Sequence, residues 1–309
     1  MAQPSTPGFI KGCVIVPLVT ILVLVIVVVA GGLIVLNMTP ADLGLADLEL
    51  FEGETLASLG LADIKLKEIP KFLNELMNPD ETKILEHQFD ATEEQGKAES
   101  NIADSSVAKK ENGDIDYSSI VTDKIIYPTK QNIEYKDTTL AYIFNQMVAD
   151  GAESSDEAVE FLKELNASIS EVSIKEDGTL RIVAYIELSS LTNDLKEELN
   201  EAGVGSFVKI PERVYLVSYS GLSLDAEGNL VTTSKSLKIN DSDSPISTAI
   251  MKVLAKKADE VATEEGQQVD TSEAVVNGKI GEAFVAVVSN LGKPVEVRAG
   301  AIVVETYTE

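Results

Sequence analysis

The stretch Val172–Leu188, VSIKEDGTLRIVAYIEL, decides the fold class. Val172 and Ile174 alternate with polar residues before Glu176-Asp177-Gly178, and Leu180, Ile182, Ala184, Ile186 and Leu188 alternate after it. A period of two puts such side chains on one face of a strand, and Asp-Gly between two such runs supplies the positive φ that a tight reversal needs. The spacing predicts an antiparallel hairpin.

Toward the N-terminus, Asp137 is suited to cap a helix carrying Leu140, Ile143, Phe144, Met147 and Val148 on one face and stopping near Gly151. Ala158, Phe161, Leu162 and Leu165 mark a second short helix. Toward the C-terminus, Leu191, Leu195 and Leu199 form a helical row. A strand from Val208 follows, with Pro211 marking an edge or bulge, and runs through Leu216 to Leu224. The turn Asp225–Asn229 returns the chain along Leu230 to Ile239. Ser244-Pro245 has the cap-then-proline order that opens a helix, with Ile246, Ile250, Val253, Leu254 and Val261 on one face. After a polar loop, Ser272 to Leu291 reads as a helix ended by Gly292 and Pro294, and Val295 to Tyr307 as a final strand. Hairpins and helices without regular βαβ alternation indicate an α+β fold, an antiparallel curved sheet packed with amphipathic helices. An aliphatic groove in such a sheet would be lined by Ile182, Ile186, Val214, Leu216, Ile250 and Leu254; the alternative is that these residues fill a core.

Near the N-terminus, Val14 to Leu36 reads VIVPLVTILVLVIVVVAGGLIVL, without a charge. About 20 apolar residues span a bilayer core, and in lipid the backbone must bond to itself, so this β-branched run becomes a transmembrane helix. The rival is a cleaved signal peptide with Val28-Val29-Ala30 as its site, but the apolar run continues past it to Leu36. Lys11 precedes the run while Asp42, Asp47, Glu49 and Glu52 follow it, which places the N-terminus in the cytoplasm and the remainder outside the cell. The lone cysteine, Cys13, permits no internal disulfide, as is common in exported proteins of Gram-positive bacteria; lipidation or a bland place at the membrane edge are its two readings.

Just beyond the run, Leu43 to Leu50 (LGLADLEL) recurs as Leu59 to Leu66 (LGLADIKL), a period of 16 residues. Two copies are too few for a solenoid, and the segment reads as a membrane-proximal stalk or a part of the main domain, or else as a docking surface for a partner. Ile69 to Leu85 has helical spacing around Phe72, Leu73 and Leu76, broken by Pro79. Asp90 to Asp114 has few large apolar side chains and reads as an acidic flexible linker. The expected organisation is a cytoplasmic tail at 1–12, a transmembrane helix at 13–37, a stalk at 38–89, the linker at 90–114 and an extracytoplasmic α+β domain at 115–309.

Catalytic patterns are missing from the sequence. His87 is the only histidine, so no Ser/His/Asp or Cys/His arrangement exists, and there is no Gly-rich phosphate loop and no zinc spacing. The chain is read as a non-enzyme without cofactor or metal. Asn240–Ser244 clusters oxygens that could hold calcium, but it lacks the glycine and distal glutamate of an EF-hand, and a helix-capping turn explains it more simply. A net charge of -26 with three arginines repels phosphate backbones and excludes nucleic acid as partner.

Four segments in order, Asp137–Val148, Glu176–Leu188, Ile210–Val231 and Leu237–Leu254, form a pattern of helix, Asp-Gly hairpin, proline-then-tyrosine strand and returning strand leading into a helix. The order resembles that of the YpmS-like and AsmA-like membrane-anchored extracytoplasmic proteins of bacteria, over about Tyr117 to Ala262. The resemblance implies an envelope-facing module that binds or conducts lipid along apolar surface, and it transfers no functional residue. The expected partners are the lipid bilayer, together with a lipid ligand if the groove is open or an envelope protein if the chain is a scaffold.

Overall fold

The computed structural model describes residues 37–51, 54–58, 60–150, 162, 167–187, 213–245, 247–248 and 273–308. The expected transmembrane run, the helix expected around 158–165 apart from the buried Leu162, the helix around 191–199, and the body of the helix after Ser244 lie outside these residues. Among the described residues no helix is long and apolar enough to cross a membrane. The chain divides into two compact units: Met1–Asp80 with Glu187–Tyr215 and Lys238–Glu273, and Glu81–Ile186 with Leu216–Leu237 and Ala274–Glu309. The span expected as one domain from residue 115 therefore contributes to both.

In the first unit, strands β1 (Glu49–Phe51) and β2 (Glu54–Thr55) pair antiparallel, and α1 (Ile69–Met77) ends before Pro79 as its spacing predicts. The 16-residue repeat of sequence is also a repeat of structure. Gly44 and Gly60 take φ of 73° and 75°, a left-handed conformation that glycine adopts without Cβ strain. Gly44 N–H donates to Ala41 O and Gly60 N–H to Ala57 O, both at 3.0 Å. Leu45 N–H donates to Pro40 O at 2.9 Å and Leu61 N–H to Leu56 O at 2.8 Å. Upstream, Thr39 and Asp42 exchange side-chain and backbone hydrogen bonds, as do Thr55 and Ser58. These caps extend the repeat back to Thr39 and Thr55. The copies also bond each other reciprocally, Ala41 N–H to Ala62 O and Ala57 N–H to Ala46 O, each 2.9 Å, the mutual exchange of a two-fold pair.

The second unit begins with α2 (Glu81–Ile84), α3 (Ala91–Ile102) and α4 (Ser118–Thr122). Helix α3 corrects the reading of residues 90–114 as a flexible linker. Asp90 caps it by accepting from Thr92 and Glu93 N–H, and Glu94, Ala98 and Ile102 are buried. The reason lies in α5 (Asp137–Asp150), which follows β3 (Ile126–Tyr127) and β4 (Asn132–Lys136). Helix α5 buries the predicted stripe of Leu140, Ile143, Phe144, Met147 and Val148, and Ala141 and Tyr142 besides. Those extra buried faces need cover, and α3 and α4 both pack on α5. Thr139 Oγ1 donates to the buried Glu94 carboxylate at 2.6 Å, joining the two helices.

Strands β5 (Ala167–Ile174), β6 (Thr179–Glu187), β7 (Arg213–Leu224) and β8 (Leu230–Ile239) form a four-stranded sheet in that order. The α+β class with antiparallel sheet holds. Ile174 pairs with Leu180 across the expected Asp-Gly turn, where Gly178 takes φ 75°. The Asp225–Asn229 turn is present, and the Asp225 carboxylate gathers the Glu227 and Asn229 N–H groups. Helix α6 (Glu273–Leu291) stops at Gly292, where a Cβ would lie 2.7 Å from Val304 Cγ2. Phe284 of α6 meets Phe144 of α5 edge to face, with centroids 6.1 Å apart.

The C-terminal stretch differs from the single strand expected over Val295–Tyr307. It is a hairpin, β9 (Lys293–Arg298) and β10 (Ala301–Glu305), followed by β11 (Tyr307–Thr308). Gly300, at φ 72°, makes the reversal, and apolar alternation on both sides hid it. Strand β10 lies between β4 and β9, and β9, which contains Pro294, is at the sheet edge, where a missing N–H leaves no ladder bond unmade.

Candidate functional site

The densest concentration of chemistry among the described residues lies around the β5–β6 hairpin. A register irregularity between Ile169 and Glu171 lets Glu171 turn inward beside Arg181. Both side chains are buried, at 2% and 1% exposure, and Arg181 Nη1 donates to Glu171 Oε1 at 2.6 Å. Nη2 of Arg181 donates to Ile84 O, and its Nε donates to Tyr219 Oη at 3.2 Å. The second carboxylate oxygen, Glu171 Oε2, accepts the N–H groups of Glu86 and His87 at 2.7 and 3.0 Å. A buried ion pair is tolerable only when its remaining donors and acceptors are met, and here the loop after α2 meets them. The pair is a clasp that closes residues 84–87 over the sheet.

Lys175, at the hairpin turn, pairs with Glu86. Burial opposes ionisation of Glu86, but the Lys175 hydrogen bond and the charges of Arg181, Lys175 and His87 outweigh it and hold the carboxyl below its usual value. Asp137, at the start of α5, behaves oppositely: burial raises its carboxyl, and the Thr138 and Ile174 amides only partly offset that.

One ligand atom from each of Glu86, His87 and Glu171 falls within 4.8 Å of the others, so by spacing alone the three could hold a divalent cation. Their surroundings do not fit one. Both oxygens of Glu171 are engaged, Glu86 is neutralised by Lys175, and a cation would sit against the fixed charge of Arg181. The polar groups of the clasp are spent on one another and on the loop after α2.

Beside the turn lies a cavity of about 300 Å³, lined by Lys175, Gly178, Leu222, Val297 and Arg298 among others. Its two cations are paired with Glu86 and Glu134, and none of the residues predicted to line an apolar groove borders it. Those residues are placed as follows. Ile182 and Ile186 lie on β6, 1% and 5% exposed, and Val214 and Leu216 on the neighbouring β7, 9% and 2% exposed. Ile250 and Leu254 lie outside the described residues. Farther along β7, Asn277 of α6 is fully buried against the sheet; it bonds the Ser218 and Ser234 hydroxyls and the Tyr219 carbonyl.

The Asn240–Ser244 segment forms the capping turn. Asn240 and Asp241 take φ of 51° and 53°, Asn240 bonds the Tyr215 backbone through its own N–H and Oδ1, and Ser244 Oγ accepts the Ser247 N–H at 3.0 Å. Asp243 is paired with Lys238 at 2.8 Å. Sequence reasoning missed the Glu171–Arg181 clasp. Its one legible signal was a rare arginine inside an alternating apolar run; the irregularity that turns Glu171 inward leaves no mark in composition.

No protein-family model matches the chain, and neither a curated protein nor a solved structure is significantly similar to it.

Proposed function

We propose that this chain is a membrane-anchored, non-catalytic module of the bacterial cell surface, held by the uncharged 14–36 run and acting as an interaction scaffold through its acidic outer part. What supports the choice of scaffold over lipid carrier is the burial of four of the six residues expected to line a groove, Ile250 and Leu254 lying outside the described residues. An open acyl-chain groove would leave its walls accessible to a water-sized sphere, yet Ile182, Ile186, Val214 and Leu216 are 1–9% exposed. The saturated Glu171–Arg181 clasp supports the non-catalytic part, because its polar groups serve the fold. The element order behind the resemblance to envelope proteins is compatible with many activities and adds no site.

A lipid-holding groove is the second reading, favoured by the aliphatic side chains clustered on neighbouring strands β6 and β7. Acyl chains gain roughly 0.8 kcal/mol per buried CH₂, so an open groove would retain lipid through purification. Native mass spectrometry of residues 37–309 separates the two. The scaffold reading expects the bare mass, and one lipid retained per chain would overturn it in favour of the carrier.

A further inference from the structure

The two copies of the repeat share backbone and hydrogen bonds but differ in cover. In the second copy Leu61, Ala62 and Ile64 are 4%, 6% and 8% exposed. Their counterparts in the first are less enclosed: Leu45 and Ala46 are half-buried, and Leu48 stands 42% exposed. The turns fold alike as far as Leu48 and Ile64, beyond which the first copy enters β1 and the second a 3-10 turn at Leu66–Glu68, so within the shared turns the difference lies in what rests against each copy. Leu48 is one of three exposed large hydrophobic residues among the described residues, and the others, Val231 and Val295, are far along the chain.

What precedes the first copy identifies its occupant. The uncharged run ends at Leu36, and only Asn37 and Met38 separate it from Thr39, where the first copy begins. The three Cα–Cα steps from Leu36 to Thr39 reach at most roughly 10 Å, comparable with the headgroup layer of one leaflet. A run seated in the bilayer therefore holds the first copy within the interfacial zone, where partly apolar surfaces are favoured.

We infer that the uncovered apolar side chains of the first repeat, Leu45, Ala46 and Leu48, lie against the membrane interface, so that lipid gives this copy the cover its twin finds in protein. The inference rests on the membrane-anchor reading and deepens it: the repeat becomes a foot that sets the outer part against the bilayer.

The chain contains no tryptophan, so one introduced indole reports alone. Full-length Leu48→Trp is reconstituted in phosphatidylcholine vesicles with plain or brominated acyl chains, beside Val25→Trp in the run and Val295→Trp as an exposed control. Leu48 is exposed, so a larger ring meets no packed neighbour there, and tryptophan favours the interface. The expected result is emission shifted to the blue and strongly quenched by bromine at positions 25 and 48, and neither effect at 295. Quenching at 25 without quenching at 48 leaves the anchor standing and overturns the inference. Loss of quenching at 25 overturns the anchor itself, and the inference with it. Shielding of position 48 from aqueous acrylamide without bromine quenching means that protein covers the face, and it also overturns the inference.

Discussion

Arg181 and Glu171 form the kind of interaction whose two halves cannot be separated cheaply. Arg181→Met leaves a buried carboxylate with only two amide donors and should lower the unfolding free energy by about 3–5 kcal/mol. The double variant with Glu171→Leu removes the stranded charge and should recover part of that loss, measured by denaturant unfolding. A single variant as stable as the parent would show that the loop after α2 is held by something else. Glu94 offers a second test through pH. Burial opposes its ionisation, but hydrogen bonds from Lys97 and Thr139 prevail and hold its carboxyl below the ordinary 4.5. A depressed acid binds fewer protons folded than unfolded, so its contribution is complete above pH 4.5 and disappears as pH falls through the folded value. Thermal midpoints of Glu94→Gln should therefore fall less steeply with acidification than those of the parent. Parallel slopes would contradict the assignment.

At the scale of elements, the repeat makes a paired prediction. Gly44 and Gly60 are left-handed and have open space where a Cβ would go, so alanine is penalised by backbone conformation alone. Gly44→Ala and Gly60→Ala should each cost roughly 1–2 kcal/mol, and nearly the same amount. Unequal costs in calorimetry would mean the copies are not equivalent. The repeat was legible because its eight core residues recur almost unchanged, whereas its caps were hidden by Asp42 and Ser58 being different residues in one role. The two central hairpins were legible for a similar reason: Asp-Gly and Asp225–Asn229 are local signals that outweigh long-range context. The 90–114 helix was not legible, since its few apolar residues suffice only because α5 offers them a second face. The β9–β10 reversal rests on Gly300 amid apolar alternation, too little to break the pattern on paper. Of the residues expected to line a groove, Ile182, Ile186, Val214 and Leu216 were legible as strand residues; their burial depends on packing, which no periodicity reports.

At the scale of the whole molecule, two properties of the chain oppose each other: an uncharged run of 23 residues and a following part that carries all 51 acidic groups. The proposed anchor puts the run in lipid and the remainder in water, and two residues, Asn37 and Met38, join the one to the repeat. The most direct test follows the full-length chain in bacteria through alkaline washing of membranes and protease treatment of intact cells. The account predicts that the chain stays with the washed membranes and that external protease removes everything beyond the repeat, leaving a short protected N-terminal fragment. Recovery of the intact, uncut chain in the soluble fraction would contradict it.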